Sequence, residues 1–259
     1  MKTLLRVIFI GFLLAGFYTC NKDNPSIEEE NLPIVKIELP QISINTNGAE
    51  IVDEPKIRAE MLVSVEDVID FSGIIGIEIR GSSSQMFPKK QYGVETRDEA
   101  GDGINVSILS FPEEEDWILY APYSDKSLIR NILIYDLSRD IDRYASRAKF
   151  VEVSLNNSYN GLYVFMEKLK RDVNRININK LKVDENSGED LTGGYILKID
   201  KASGLDETLY TSTNSMTSKY APNNAWSNQK IYFNYDTPKE EDITPEQKEY
   251  ITNYMNNFE

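Results

Sequence analysis

Apolar and polar residues alternate with a period of two through much of the first two thirds of the chain. The alternation is clearest at residues 57–63, 75–79, 92–94 and 151–155. A period of two places successive side chains on opposite faces of a strand. The pattern therefore predicts an antiparallel sheet with one buried face.

The clearest predicted hairpin joins residues 150–155 (FVEVSL) to residues 161–169 (GLYVFMEKL). The five residues between them, NNSYN, are rich in asparagine, and Gly161 follows directly. Asparagine and glycine tolerate the backbone angles that tight turns require. We therefore predict a turn over residues 156–160 that ends on Gly161.

The first predicted helix lies between the strand-like segments at 92–94 and 151–155. Ser124 or Asp125 is placed to cap its N-terminus. Its apolar residues recur at helical spacing and form one face. That face comprises Leu128, Ile129, Ile132, Leu133, Leu137 and Ile141.

A second helix is predicted to begin at TPEQ, where Thr244 caps, Pro245 takes the first helical position and Gln247 completes a capping box. The sequence offers no further element on which its apolar face could pack. That face comprises Ile251, Tyr254, Met255 and Phe258. The polar, irregular residues 202–226 before it are predicted to form a long surface loop.

Composition narrows the possible chemistry. The 259 residues are 41% hydrophobic, which suits one core or two small ones. The net charge of -14 disfavours nucleic acid and anionic membrane surfaces as partners, so a bound anion must meet a local basic site. The absence of histidine excludes imidazole catalysis, and the single cysteine, Cys20, excludes an intramolecular disulfide.

Lys2 and Arg6 flank an apolar run that is too short to span a bilayer but suits a secretory signal. The run ends in FYTC and resembles a bacterial lipoprotein signal, which would leave Cys20 as the lipidated first residue. Phe17 departs from the usual Leu, and a signal without lipidation is the alternative. The acidic residues that follow resemble the surface-export signals of Bacteroidetes lipoproteins.

These features predict a signal at 1–19, an acidic tether at 20–50 and a folded domain at 51–259. The tether contains three prolines and a segment, 34–44, that alternates well enough to be a first strand starting near Ile34. The expected location is the bacterial cell envelope, at the surface of the outer membrane if the export signal acts.

The segment RGSSSQMFPKK at 80–90 could bind phosphate. Gly81 can take a positive φ, the serine N–H groups and hydroxyls could point into one concavity, and the lysines would supply positive charge. The residues concerned are Gly81, Ser82, Ser83, Ser84, Lys89 and Lys90. Neither a Walker pattern nor G-x-G-x-x-G is present, so a solvated hairpin is the alternative.

Three further segments carry polar residues whose role the spacing leaves open. Arg130 is either a surface charge or, with Asn131, faces the same cleft as the lysines. Glu167 is either a strand-end salt bridge or the start of a hinge. The glycines at 193–194 precede a strand with Lys198 and Asp200 on one face.

Three acidic segments are assigned no chemistry. The runs at 112–116 and 239–243 are typical of solvated faces or turns. The glycine-containing run at 97–103 lacks the ligand alternation and terminal Glu of an EF-hand, so it predicts a turn.

Four blocks in this order resemble the spore coat protein H (CotH) kinase family, a secreted, atypical branch of the protein-kinase-like fold. They are residues 80–92, 123–131, 151–176 and 193–200. The resemblance implies an α+β fold, with a kinase-like N-terminal lobe of antiparallel sheet and a packed helix, followed by a helical lobe. It also implies ATP and Mg²⁺ as cofactors and phosphoryl transfer to Ser or Thr of a secreted or surface protein.

The resemblance assigns nucleotide binding to residues in three of the blocks. They are Arg80, Gly81, Ser82, Ser83, Ser84, Lys89, Lys90, Arg130 and Glu167, with Glu167 on the adenine side. The family's metal-holding and catalytic aspartates are expected beyond Glu259, so we expect no metal ligand here and no turnover. The rival hypothesis is a non-catalytic surface lipoprotein that binds a protein or glycan.

Overall fold

The computed structural model describes residues 38–200, 210–220 and 230–259. The predicted signal at 1–19, the lipidation site at Cys20 and the predicted strand start at Ile34 lie outside the described residues. Residues 201–209 and 221–229, which include parts of the predicted surface loop at 202–226, also lie outside the described residues.

Seven strands form a closed barrel, in the spatial order β1-β2-β3-β4-β5-β7-β6. They are β1 Gln41–Asn45, β2 Ile57–Val65, β3 Val68–Arg80, β4 Gln91–Arg97, β5 Asp116–Tyr120, β6 Ala148–Leu155 and β7 Ser158–Glu167. Neighbours pair antiparallel except β1 and β6, which pair parallel and close the ring. The predicted antiparallel sheet with one buried face is confirmed except for the parallel β1–β6 pair, and closure, which the sequence analysis did not predict, removes the free edges.

Alternation along the strands fills the barrel interior. In β2, for example, Ala59, Met61 and Val63 are buried while the residues between them face outward. Aromatic rings fill one part of the core, where the ring centroids of Trp117 and Phe165 lie 5.0 Å apart. The period of two in the sequence thus corresponds to the inner and outer surfaces of the barrel.

The β6–β7 hairpin is tighter than the sequence predicts. Only Asn156 and Asn157 form the turn, with φ of 49° and 64°, which is the signature of a two-residue primed turn. Residues 158–160 belong to β7, so the predicted five-residue turn is wrong. Gly161, with φ of 88°, lies where the register shifts beside Val153 and marks a bulge.

Helix α1 spans Arg130–Asp140 and begins later than predicted. Its N-cap is Ile129, which makes no side-chain cap, so the assignment of Ser124 or Asp125 as N-cap is wrong. Asp125 still serves this end of the helix, because its carboxylate accepts from the Arg130 N–H at 3.0 Å.

The apolar face predicted for α1 is largely exposed. Ile132 and Tyr135 pack against a cluster on the outside of β5 and β7, but Leu133, Leu137 and Ile141 are exposed. The helix packs on the outside of the barrel, because strand side chains already fill the barrel interior.

A second, three-stranded sheet contains β8 Ile196–Lys198, β9 Ser215–Thr217 and β10 Tyr232–Thr237, in the antiparallel order β8-β10-β9. Strand β9 lies within the predicted surface loop, and Met216 on it is buried, so that prediction is wrong here.

Helix α2 spans Pro245–Phe258 and starts with the predicted capping box. Ile251 is buried against Met216 and Tyr235 of the second sheet, so the expectation of an unpacked face is wrong for this residue. Tyr254 and Phe258, further along the same face, remain exposed.

The described chain is mostly β, with two α-helices among these residues. Neither helix has the length and apolar character needed to cross a bilayer.

Candidate functional site

The loop at 80–90 leaves the barrel at the end of β3. Gly81 has φ of 101°, a conformation that L-residues rarely adopt, and a Cβ on it would collide with the Ser84 hydroxyl. A short 3-10 helix, Ser83–Met86, follows. The predicted positive φ at Gly81 is therefore confirmed, and only glycine fits this position without strain.

The backbone N–H groups of the three serines are not used within the loop. Gly81, Ser82 and Ser83 are exposed, and the loop is closed by N–H groups further along, from Gln85 to Ser82 O and from Phe87 to Ser84 O, both at 3.1 Å. Among the described residues no acceptor is seen for the serine N–H groups at 82–84. These three N–H groups can therefore donate to an oxygen of a bound molecule.

The two lysines lie just before β4, and internal carbonyls already hold both ammonium groups. Lys89 Nζ donates to Leu162 O at 2.6 Å and lies 4.4 Å from the centroid of the Tyr163 ring. Lys90 Nζ donates to Gln85 O at 2.5 Å. Burial lowers the pKa of Lys89. Lys89 therefore ties the loop to β7, whereas Lys90 ties the loop to itself.

Arg80 lies where several segments meet. Burial lowers its pKa, and the nearby Tyr135 of α1, Glu78 of β3 and Asp200 after β8 act in the opposite direction. Further along the loop, the centroids of the Phe87 ring and the Tyr123 ring lie 5.1 Å apart. The loop thus neighbours the segment before α1, α1 itself and the end of β8.

Arg130 stands at the first position of α1 and is largely exposed. Its Nε lies 3.5 Å from Asp125 Oδ1. The Asp125 carboxylate accepts from the Ser127 hydroxyl and from the Arg130 and Ser127 N–H groups, and these bonds lower its pKa. The surface position expected for Arg130 agrees with this geometry, while its nucleotide role stays a prediction.

Glu167 ends β7 with its side chain buried. Its Oε1 accepts from the Arg147 guanidinium at 2.6 Å, and its Oε2 accepts from the Arg147 N–H at 2.9 Å and the Tyr144 hydroxyl at 3.1 Å. Both oxygens are bound, so the strand-end salt bridge is the correct alternative for this contact. The adenine-side assignment of Glu167 stays a prediction.

A buried charge network at the start of β5 was missed. Glu114 and Asp116, in the acidic run at 112–116, are 3% and 8% exposed, so the prediction of a solvated run is wrong. Lys170 Nζ lies 2.6 Å from Glu114 Oε1, and Arg175 Nη2 lies 3.1 Å from Glu114 Oε2. The available signal was charge complementarity between this acidic run and the basic residues at 168–175.

The network perturbs the ionisation of its members. Burial would raise the pKa of Asp116, but hydrogen bonds and charge from Lys170 and Lys168 lower it overall. Burial would lower the pKa of Lys170, but hydrogen bonds to Glu114 and Asp116 raise it overall. The charged forms of both groups are therefore the stabilised ones.

Three carboxylates of the acidic run lie as close together as the ligands of a metal ion. Single oxygens of Glu114, Glu115 and Asp116 lie within 4.8 Å of one another. The ammonium of Lys170 approaches all three, at 2.6, 3.3 and 2.9 Å. A lysine thus stands where a cation would bind, and we assign no metal to these residues.

Comparison with known proteins gives one family match. A family model described as CotH kinase protein matches residues 77–259, which run from β3 through the loop at 80–90 to α2. A search of curated proteins finds no match.

Proposed function

The chain belongs to the CotH kinase family, and on this premise we propose that the barrel and the second sheet form a protein-kinase-like nucleotide-binding lobe. Membership of this family indicates a kinase-like function. The more specific proposal is ATP-dependent phosphoryl transfer to Ser or Thr hydroxyls of a secreted or surface protein.

One observation carries the proposal: segments distant in sequence converge on the loop at 80–90. Lys89 reaches the carbonyl of Leu162 in β7, and the Tyr163 hydroxyl donates to Lys90 O at 3.0 Å. The charge of Asp200, which follows β8, acts on the pKa of Arg80. With the contact between the Phe87 and Tyr123 rings, residues of the other three blocks that resemble the family therefore come close to the loop at 80–90.

The loop suits a phosphate group chemically. The N–H groups at 82–84, which have no acceptor among the described residues, would donate to phosphate oxygens, and the absence of a Cβ at Gly81 lets the chain bend there. Arg80 and Lys90 would supply positive charge, which a chain with a net charge of -14 must provide locally. Bound ATP would supply the transferable phosphoryl group.

Magnesium would require carboxylates that are free to coordinate it. Among the described residues, the buried carboxylates of Glu114, Asp116 and Glu167 are already bound to lysine or arginine. We therefore propose nucleotide binding for these residues and assign neither a metal ligand nor a catalytic base.

Direct binding of MgATP tests the nucleotide proposal. Isothermal titration with the full chain should show binding, and Lys89→Ala/Lys90→Ala should weaken it at least tenfold. Lys182→Ala/Lys239→Ala is the matched control, since both lysines are well exposed and their loss changes the net charge equally. Equal affinity of the site variant and the control variant, or no binding by the wild type, would contradict the proposal.

We further propose export and lipid anchoring at Cys20, with a protein substrate in the cell envelope. Metabolic labelling with a fatty acid should mark the wild-type protein and leave Cys20→Ser unlabelled. Labelling of both would refute lipidation at this residue.

A further inference from the structure

The outward face of α1 and the two residues that flank the helix carry a stripe of exposed apolar side chains. Leu133, Leu137 and Ile141 are 51%, 50% and 71% exposed, and Ile129 and Ile134 are 46% and 59% exposed. Single exposed apolar residues are ordinary, but a contiguous stripe on one helix face is typical of an interaction surface. We call the residues 129, 133, 134, 137 and 141 the α1 stripe.

The α1 stripe is nearly symmetric about position 135. Positions 129 and 141 are equidistant from it, and so are the leucines at 133 and 137. Arg130 and Asp140, also equidistant from it, are exposed as well. Residues four apart lie on the same side of a helix, so 129, 133 and 137 form one continuous row.

We propose that α1 pairs antiparallel with α1 of a second copy of this chain, about a two-fold axis level with position 135. Such an interface is isologous, because each copy contributes the same surface. Reversal of direction sets Leu133 beside the partner's Leu137 and Ile129 beside the partner's Ile141. The inference goes beyond nucleotide binding and does not rest on it.

Charge favours the antiparallel arrangement. It brings Arg130 of one copy to the same level as the partner's Asp140 at both ends of the pair, whereas a parallel arrangement would set like charges together. It also opposes the two helix dipoles. Arg130 already lies 3.5 Å from Asp125, but its exposed guanidinium retains donors for a further carboxylate.

The size of α1 limits the strength of the pair. Its 11 residues make a helix of roughly 16 Å, so the contact is smaller than the ~800 Å² per partner of a standard stable interface. The net charge of -14 on each copy also opposes association. We therefore expect a concentration-dependent monomer–dimer equilibrium.

Sedimentation equilibrium on the full chain over a concentration series tests the pair. Leu137→Lys should raise the dimer dissociation constant at least tenfold, because it places a charge in the centre of the α1 stripe. The matched control is Ile69→Lys on β3, which also replaces an exposed apolar residue by lysine and should leave the constant within about twofold.

A charge exchange then tests the orientation. Arg130→Glu and Asp140→Arg should each weaken the dimer severalfold, and the double variant should restore it. Asp140→Arg is decisive, because it lowers the net negative charge and would strengthen an association governed by net charge alone. A wild type that stays monomeric would overturn the proposal. So would an association that Leu137→Lys leaves unchanged, such as one driven by residues 1–37.

Discussion

Replacing Arg175 by methionine is expected to lower the free energy of unfolding by about 3–5 kcal/mol, the range for breaking a buried ion pair by removing one partner. The Arg175 side chain is fully buried, and its Nη2 lies 3.1 Å from Glu114 Oε2. Methionine has a similar length but cannot donate a hydrogen bond. The substitution therefore removes the charge and the donors while leaving most of the packing volume.

The magnitude follows from the lost contacts. The Arg175 guanidinium donates to Lys168 O at 2.8 Å and to Asp116 O at 2.7 Å. Hydrogen bonds from a charged donor are worth about 1.5–3 kcal/mol each. Lys170 remains 2.6 Å from Glu114 and still neutralises its carboxylate, so the cost of burying that carboxylate without Arg175 is less than that of an unpaired buried charge. The two carbonyl bonds and the weakened ion pair together support the expected range.

Urea and thermal unfolding followed by far-ultraviolet circular dichroism measure this loss. For a protein of this size, it corresponds to a fall in Tm of about 6–20 °C. Arg58→Met is the matched control, because Arg58 and its partner Glu99 are 56% and 88% exposed and such pairs contribute about 1 kcal/mol or less. Equal losses in the two variants would refute the reasoning.

Three further outcomes are expected. The pKa of Asp116 is lowered in the folded protein, so its contribution to stability is present above its unfolded pKa of about 3.9 and is lost as the pH falls through the lower folded value. Asp116→Asn lacks this contribution. Urea titrations should therefore show that the variant loses less stability than the wild type between about pH 5 and pH 2. Thr244→Ala removes the capping hydroxyl of α2 and should cost about 1 kcal/mol in thermal unfolding. Asn157 has a φ of 64°, so Asn157→Val should lower the free energy of unfolding by about 1–2 kcal/mol, seen as a lower urea midpoint, whereas Asn157→Gly should leave the midpoint unchanged.

The sequence predicts the strands well because alternation depends only on neighbouring residues. The strands β2, β3, β4 and β6 lie where alternation predicts them. Closure of the barrel was not predictable in this way, since it depends on the parallel pairing of β1 with β6, which are about a hundred residues apart. A periodic pattern indicates which side of a strand is buried but not which strand lies beside it.

The errors at α1 and at the acidic run share this physical cause. The helical period shows that Leu133 and Leu137 lie on one face, but it does not show whether another element packs against that face, and both side chains are in fact exposed. Likewise, the acidic run shows a concentration of charge but not the lysine and arginine that reach it from 168–175. At the candidate site, the resemblance to the family pointed to the segments that lie close together. It did not indicate that Lys89 and Lys90 already donate hydrogen bonds to backbone carbonyls.

Those carbonyl contacts distinguish the two lysines in the proposed phosphate loop. Releasing Lys89 would leave Leu162 O of the barrel without its donor and remove the cation from the Tyr163 ring. Releasing Lys90 frees only Gln85 O, which belongs to the loop and can bind water. Within the proposal, Lys90 is therefore the phosphate partner and Lys89 a brace between loop and barrel. Lys90→Met should weaken MgATP binding while keeping the urea midpoint, and Lys89→Met should lower that midpoint; the reverse pattern would exchange the two roles.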